Sequence, residues 1–372
     1  MNLKLKNTPE QVELIKAMGS KNRATAREAQ EAFAAFLGPV VRQVLNQAGT
    51  AGAVYTDVPF DEDDSPSYPL DLYYNEGDNY VQTWSQSVAG GLPTSAVDGM
   101  AELKISTYRL DSAVSFLAKY ARRARLDVIS KGVERMSQEV LVKQERNAWA
   151  VILKALAEAS TNSLTHVVTG TTANEFQLHD LNKLMTRIRR INESFADGTP
   201  DPAYSQGVTD LYVSPEIMQN IRSFAYQPMN TRAAVGTADK DSTGLALPDN
   251  VRSDIYNAAG TQEIYGINIV ELNEFGVSKK YNTLFDTFAT SAAIDGPAGS
   301  DFATGTDEIL VGIDNSKGAF VRPIATNADS GSSFNASPDD QYHARAEKIG
   351  FYGALEEGRA CIDARAVVGI TV

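Results

Sequence analysis

Three histidines, His166, His179 and His343, are the side chains of this 372-residue chain best suited to general acid–base work or metal ligation. None stands at ligand spacing from another histidine or from Cys361, the single cysteine. Neither a zinc centre nor a His-based catalytic site is therefore expected. A nucleophile elbow of the Gly-x-Ser-x-Gly type, a phosphate-binding Walker A loop and a Gly-rich dinucleotide fingerprint are absent as well. Cys361 reads as a small core residue, and one cysteine allows no internal disulfide. No catalytic residue, cofactor or metal is expected. The chemistry that remains is that of charge and aromatic surface.

Charge is distributed unevenly. The chain carries a net −13, which excludes a chain-wide basic footprint for nucleic acid. Residues 1–27 hold six cations against Glu10 and Glu13, a balance of +4. Residues 41–100 hold Arg42 against nine acids, a balance of −8, and no lysine occurs between Lys21 and Lys104. The run Asp61-Glu62-Asp63-Asp64 lacks the spacing and glycine of a calcium loop and reads as a solvated turn or a contact surface. Two basic clusters, Arg122-Arg123-Ala124-Arg125 and Arg187-Ile188-Arg189-Arg190, suit phosphate, plain solvent exposure, or the acidic 57–78 stretch of a neighbouring copy. Tyr68, Tyr73, Tyr74, Tyr80 and Trp84 offer rigid area for an interface or for packing under their own loop.

These residues must be positioned by a larger frame. Asp127 to Ala159 reads as one helix, roughly 50 Å long at about 1.5 Å per residue. Ile129, Val133, Met136 and Val140 share one face, as do Ala148, Ile152, Ala155 and Ala159. Lys143-Gln144-Glu145-Arg146 forms a polar collar between them, and Asp127 is the expected N-cap. Before this strut, residues 9–48 read as helix broken at Gly38-Pro39, with little apolar surface of their own. Residues 49–108 read as loop followed by a long hairpin, with strands at 80–87 and 102–108 around Ala89-Gly90-Gly91-Leu92-Pro93. Such a ribbon is marginal alone and needs a partner surface.

After the strut a second helix is expected at Leu181–Ser194, then a connection at 195–207. Asp210-Leu211-Tyr212-Val213 reads as a strand leading into a short helix capped by Ser214-Pro215-Glu216. Further strands are expected at 264–270, 308–313, 318–323, 348–352 and 366–372, with polar loops at 227–262, 289–307 and 326–340. With 43% hydrophobic residues a sizeable core is available. No apolar run has the length of a membrane span, and Met1-Asn2-Leu3-Lys4 opens no secretory leader.

The order and texture of these parts resemble the major capsid protein of tailed bacteriophages, with the α+β fold named after phage HK97. The phrase Leu211-Tyr212-Val213-Ser214-Pro215-Glu216 is similar to that family. So is Lys348-Ile349-Gly350-Phe351-Tyr352-Gly353-Ala354 running into Ala366-Val367-Val368-Gly369-Ile370. The resemblance implies an N-terminal arm at 1–48, an extended E-loop at 49–108, and a P-domain at 109–204 with 341–372 and its spine helix at 127–159. An A-domain would occupy 205–340. It implies a non-enzymatic shell protein, a virion component assembled in the host cytoplasm. Hexamers and pentamers would enclose double-stranded DNA through weak, non-specific contact. Scaffold, portal and decoration proteins would be further partners, and no membrane is involved.

The expected interface residues are Asp61, Glu62, Asp63, Asp64, Tyr73, Tyr74, Trp84, Arg122, Arg123, Arg125, Arg189 and Arg190. Some relatives join an E-loop lysine to a neighbour's asparagine. No lysine precedes Lys104 in this loop, so Asn75 and Asn79 have none beside them, and non-covalent burial is expected to hold the shell. Some relatives also lose a propeptide, whereas residues 1–48 are expected to persist here. An encapsulin-type nanocompartment shell, a tail-tube component and an unrelated α+β hydrolase are the alternatives. Enclosed protein cargo, open tubes, or a small oligomer with a carboxylate-lined pocket would respectively mark them.

Overall fold

The computed structural model describes residues 8–61, 65–69, 102–161, 164–191, 207–223, 262–326, 333–339 and 347–372. Helices α1 (Pro9–Met18) and α2 (Arg23–Ala48) come first. Strands β1 (Thr56–Asp61), β2 (Ser67–Pro69), β3 (Glu102–Lys104) and β4 (Tyr108–Leu117) lead into helices α3 (Ala118–Arg122) and α4 (Leu126–Glu158). Next come β5 (Ser160–Thr161), β6 (Leu164–Thr165), β7 (Val167–Thr169), α5 (Leu178–Ile191), β8 (Asp210–Val213) and α6 (Pro215–Ser223). Strands β9 (Gln262–Ile264) and β10 (Ile267–Glu271) precede α7 (Lys280–Ala292) and β11 (Ile309–Ile313). The chain continues through β12 (Phe320–Thr326), β13 (Phe334–Asp339), β14 (Lys348–Glu357), β15 (Ala360–Cys361) and β16 (Val367–Thr371). Among the described residues no helix is long and apolar enough to cross a membrane.

The chain divides into two units, and α4 supplies residues to both. The first unit gathers the described residues up to 69, then 102–148 and 320–360. Its sheet runs β1-β12-β14-β13, with β4 also paired to β14 along all ten residues of each. Helices α1 and α2 and the first half of α4 bury their apolar faces in one cluster with this sheet. Phe33, Leu37, Ile129, Val133, Phe351 and Leu355 are among its members. The Phe33 and Phe351 ring centroids lie 5.2 Å apart. The N-terminal helices therefore complete the core of their own copy.

Several local expectations change here. The helix expected over 9–48 is two helices. Asn22 caps the second by accepting from the Ala24 N–H at 3.3 Å, and Gly19 ends the first. Gly38-Pro39, in contrast, does not break α2. Leu37 and Val41, on either side, are both buried in the same cluster, so packing outweighs the bond that a proline removes. Residues 56–61 are a parallel strand on β12, and 334–339, expected as loop, are a strand on β14. Residues 102–108 are shared between β3, paired with β2, and the start of β4; the hairpin partner expected at 80–87 lies outside the described residues.

The polar collar of α4 is tied down within its own unit. Gln144 is buried and donates to Glu357 Oε2 at 3.0 Å. Glu145 accepts from the Thr50 hydroxyl at 2.8 Å and from the Ala51 N–H. Asp127 sits in the first turn of α4, one residue inside its start, where a carboxylate favours the positive end of the helix.

The second unit comprises 149–319 and 361–372 among the described residues. Its sheet runs β7-β16-β11-β8-β10-β9. Pairings β7–β16 and β8–β10 are parallel, the others antiparallel. Strands β11 and β16 are buried at every position, which explains their continuous apolar texture. Helix α5 presses Leu181, Leu184, Ile188 and Ile191 onto Leu211, Val368 and Ile370. The segment expected as one strand at 264–270 is a hairpin. Its turn, Tyr265-Gly266, has both residues at positive φ, 54° and 79°, as a two-residue reversal requires. Helix α7, within the segment after 270, was unanticipated.

The division departs from the domains the resemblance implies. Strand β14 belongs to the first unit's sheet and β16 to the second, so residues 341–372 do not stay together. Helix α5, placed with the P-domain, shares its core with β8 and α6. The connection at 195–206 lies outside the described residues.

Candidate subunit interface

Asp61 is the last residue of β1, exposed, opposite Thr326 of β12. Glu62, Asp63, Asp64, Tyr73, Tyr74 and Trp84 lie outside the described residues. The structure therefore places only one member of the acidic and aromatic set.

The first basic cluster is split between two roles. The Arg122 Nε donates to the Gly19 carbonyl at 2.8 Å, closing the end of α1 within the same copy. Arg123 and Arg125 project from the turn between α3 and α4, are exposed, and form no ion pair among the described residues. Ala124 between them has φ 49°, and this left-handed residue makes the sharp entry into α4.

The second cluster is part of a longer strip. Arg189 and Arg190 occupy the last turn of α5, where cations favour the negative end of the helix. Arg190 joins His179, Lys183 and Arg187 along a groove of about 440 Å³ floored by Leu164 and Val168. Lys183 is held by Asp180 at 3.3 Å, while Arg187, Arg189 and Arg190 have no acidic partner among the described residues. Positions 179, 183, 187 and 190 follow helical spacing, so a charge-periodicity search could have found the whole strip. The apolar residues between them hid it from a search for consecutive cations.

No sequence pattern announced the buried polar network that joins Glu357 and Arg359 to Tyr55, Tyr108 and Gln144. Glu357 is fully buried and Arg359 almost so, with Nε to Oε1 at 3.3 Å. Tyr108 donates its hydroxyl to the same Oε1 at 2.8 Å, and Gln144 reaches Oε2. The Arg359 guanidinium lies 4.7 Å over the ring centroid of Tyr55, whose hydroxyl donates to the Ala148 carbonyl at 2.9 Å. Burial, then the Glu357 charge, pushes the Tyr108 hydroxyl up to about 12. Tyr55 precedes β1 and Tyr108 opens β4, so the network ties the described ends of the 56–107 stretch to one another.

The remaining titratable groups act as structural ties. The Ser214 hydroxyl accepts from the Ile217 N–H at 3.1 Å, capping α6, and donates to buried Glu308 at 2.6 Å. Burial raises the Glu308 pKa, which favours its neutral form. His166 is buried with Nδ1 2.9 Å from the Val367 carbonyl oxygen. His179 lies on the exposed strip, and His343 is outside the described residues. Burial lifts the Cys361 thiol to about 12, leaving it a poor nucleophile. No group of three or more potential metal ligands occurs among the described residues.

No protein-family model and no curated protein matches this chain. Solved structures do. The chain is similar to the capsid of cyanophage P-SCSP1u at 14% identity, over 85% of this chain and 86% of that one, with TM-score 0.50. It is similar to a chain of Microbacterium phage Oxtober96 at 12% identity, over 87% and 90%, with TM-score 0.49. A third is the capsid of an empty GTA particle, at 13% identity over 86% and 87%, with TM-score 0.48. These neighbours are capsid and phage structures. At such identities the likeness is one of fold, and the cyanophage capsid carries it: the chain has the α+β, HK97-like fold of phage capsid proteins.

Proposed function

We propose that this chain is the major capsid protein of a tailed-phage head, assembling into hexamers and pentamers of an icosahedral shell around double-stranded DNA. The observation that carries this is the fold likeness to a phage capsid along 85% of the chain. Head-to-tail contacts between identical subunits close into rings, which suits such capsomers. A net charge of −13 suits a container for DNA, because a basic lining would bind phosphates and resist their sliding. Scaffold, portal and decoration proteins, assembly in the host cytoplasm and residence in the virion belong to the same proposal. Lys104 is the single lysine from residue 22 to residue 118, and non-covalent contacts are taken to hold the shell.

The proposal extends to the contacts. The −8 stretch, with Asp61–Asp64 at its centre and Tyr73, Tyr74 and Trp84 as anchors, would meet basic surface on a neighbour. The cations of residues 1–27, exposed Arg123 and Arg125, and the α5 strip with Arg189 and Arg190 are the candidates. Replacing Asp61, Glu62, Asp63 and Asp64 together with lysine should reduce assembly yield several-fold at low salt. The deficit should shrink as salt approaches about 1 M, where screening acts within about 3 Å. Sedimentation velocity reads the assembled fraction. Equal yield of variant and wild type at low salt would remove this contact, and a wild-type chain that never leaves the protomer peak would remove the shell reading itself.

A further inference from the structure

Helix α5 holds one acid, Asp180, against Lys183, Arg187, Arg189 and Arg190, inside a chain whose net charge is −13. Asp180 is fully buried, and its carboxylate is committed. It accepts from the Thr171 hydroxyl at 2.7 Å, from the Thr171 and Gln177 N–H groups at 3.2 Å, and from Lys183 at 3.3 Å. Arg189 and Arg190 are exposed and Arg187 is half-buried. The groove of about 440 Å³ along this helix has no carboxylate in its wall, where Asn182 and Thr186 stand among the cations. Three other grooves among the described residues carry Asp295, Glu356 or Glu139 in theirs.

The cations are spaced for a regular polyanion. Lys183, Arg187 and Arg190 lie along about 10 Å of helix, roughly one for each 5 Å. One strand of a DNA duplex presents a phosphate about every 3.4 Å of its axis, so each cation finds one in any register. The acidic stretch at 57–78 has eight acids in 22 residues. If extended, it offers about one charge per 9 Å and would have to dock in a particular register. The planar fork of arginine matches phosphate oxygens, and lysine and asparagine are common phosphate contacts. The other basic surfaces are mixed in sign: Arg27 pairs with Glu31 at 2.9 Å, and Asp127 follows Arg123 and Arg125 closely.

We propose that the α5 strip, Lys183, Arg187 and Arg190 with Asn182 beside them, binds the phosphate backbone of double-stranded DNA without reading its sequence. The inference rests on the shell reading, which supplies the DNA, and names the surface of this chain that touches it. About three phosphate contacts per copy make a weak, salt-sensitive site. Such a site holds a duplex near the subunit without the broad basic lining that would stop it sliding. The cations of residues 1–27, with Arg123 and Arg125, then remain for the acidic stretch of a neighbour.

Fluorescence anisotropy of a short labelled duplex with dilute full-length protomer, repeated over a salt series, tests this. Wild-type binding should fall steeply with salt and be equal for duplexes of unrelated sequence. Arg190→Gln should lower the slope of log K against log salt by about 0.9, and Arg187→Gln with Arg190→Gln by about twice that. Arg190 is exposed, so the single variant still reads the site if the double variant fails to fold. Arg123→Gln with Arg125→Gln should leave the slope unchanged; a loss there equal to that of the strip variants would overturn the strip as the site. Wild-type slopes in both strip variants, or no binding by wild-type protein at low salt, would overturn it too. Wild-type slopes together with a several-fold loss of assembly yield would assign the strip to acidic surface on a neighbouring copy instead. Wild-type protein that binds duplex through the strip yet never leaves the protomer peak would keep the DNA contact and remove the shell reading.

Discussion

Arg359→Met is expected to destabilise the first unit by about 3–5 kcal/mol, because it strands the Glu357 carboxylate in the interior. Glu357 is fully buried, and its stabilising contacts in place are Arg359, the Tyr108 hydroxyl and the Gln144 amide. Two neutral donors cannot replace the guanidinium charge, so the variant must hydrate the site or protonate the acid. The double variant Glu357→Gln with Arg359→Met should lose less than the single one, since it leaves no uncompensated charge. Urea unfolding of Arg359→Met, Glu357→Gln and the double variant measures this coupling. Purely additive losses would mean that the pair is not an energetic unit. The network brackets the 56–107 segment, so Arg359→Met should also lower assembly yield under conditions where the protomer remains folded.

Trp149→Ala should cost the second unit a similar amount, about 3–5 kcal/mol, by the loss of transferred apolar surface together with the cavity left behind. Trp149 is fully buried, with ring centroids of Tyr212, Phe275 and Tyr281 at 4.8, 5.3 and 5.6 Å. The Tyr212 and Phe275 contacts are edge-to-face, the arrangement that the ring quadrupole favours. Three aromatic walls anchored in separate elements cannot collapse far into the space. Trp149→Phe should retain most of the stability, because it keeps a ring against all three. Thermal and denaturant unfolding of both variants checks the order; a loss below about 1 kcal/mol for alanine would place the organising contact elsewhere.

Sequence patterns exposed the parts of this fold whose apolar periodicity is their own. Helix α4 was legible because Ile129, Val133, Met136 and Val140 repeat at helical spacing and are all buried. Strands β8, β11 and β16 were legible as short apolar runs. Helix α7 carried a usable signal, Tyr281, Phe285 and Ala289 at intervals of four, that its threonines obscured. Strand β13 had none: Phe334-Asn335-Ala336-Ser337-Pro338-Asp339 becomes a strand because β14 offers its ladder. The same holds for β1, whose partner β12 lies more than 250 residues away along the chain. Pairing over that distance leaves no local trace.

Contacts between charges were less legible than elements. Arg122 sits in a basic run yet serves the Gly19 carbonyl, while the α5 strip spreads over about three turns. Net charge along a chain reports who is nearby in sequence; pairing depends on who is nearby in space. The Glu357–Arg359 pair was hidden for the same reason, since two residues apart in a sequence they look like any surface ion pair. Their burial follows from Tyr55, Tyr108 and Gln144, contributed by three other segments.

Negative-stain microscopy of the full chain, expressed alone and with a candidate scaffolding protein, addresses the account most directly. Closed shells of uniform diameter are the predicted image, with rings of five and six subunits on their surface. Solitary protomers at high concentration in both preparations would contradict it.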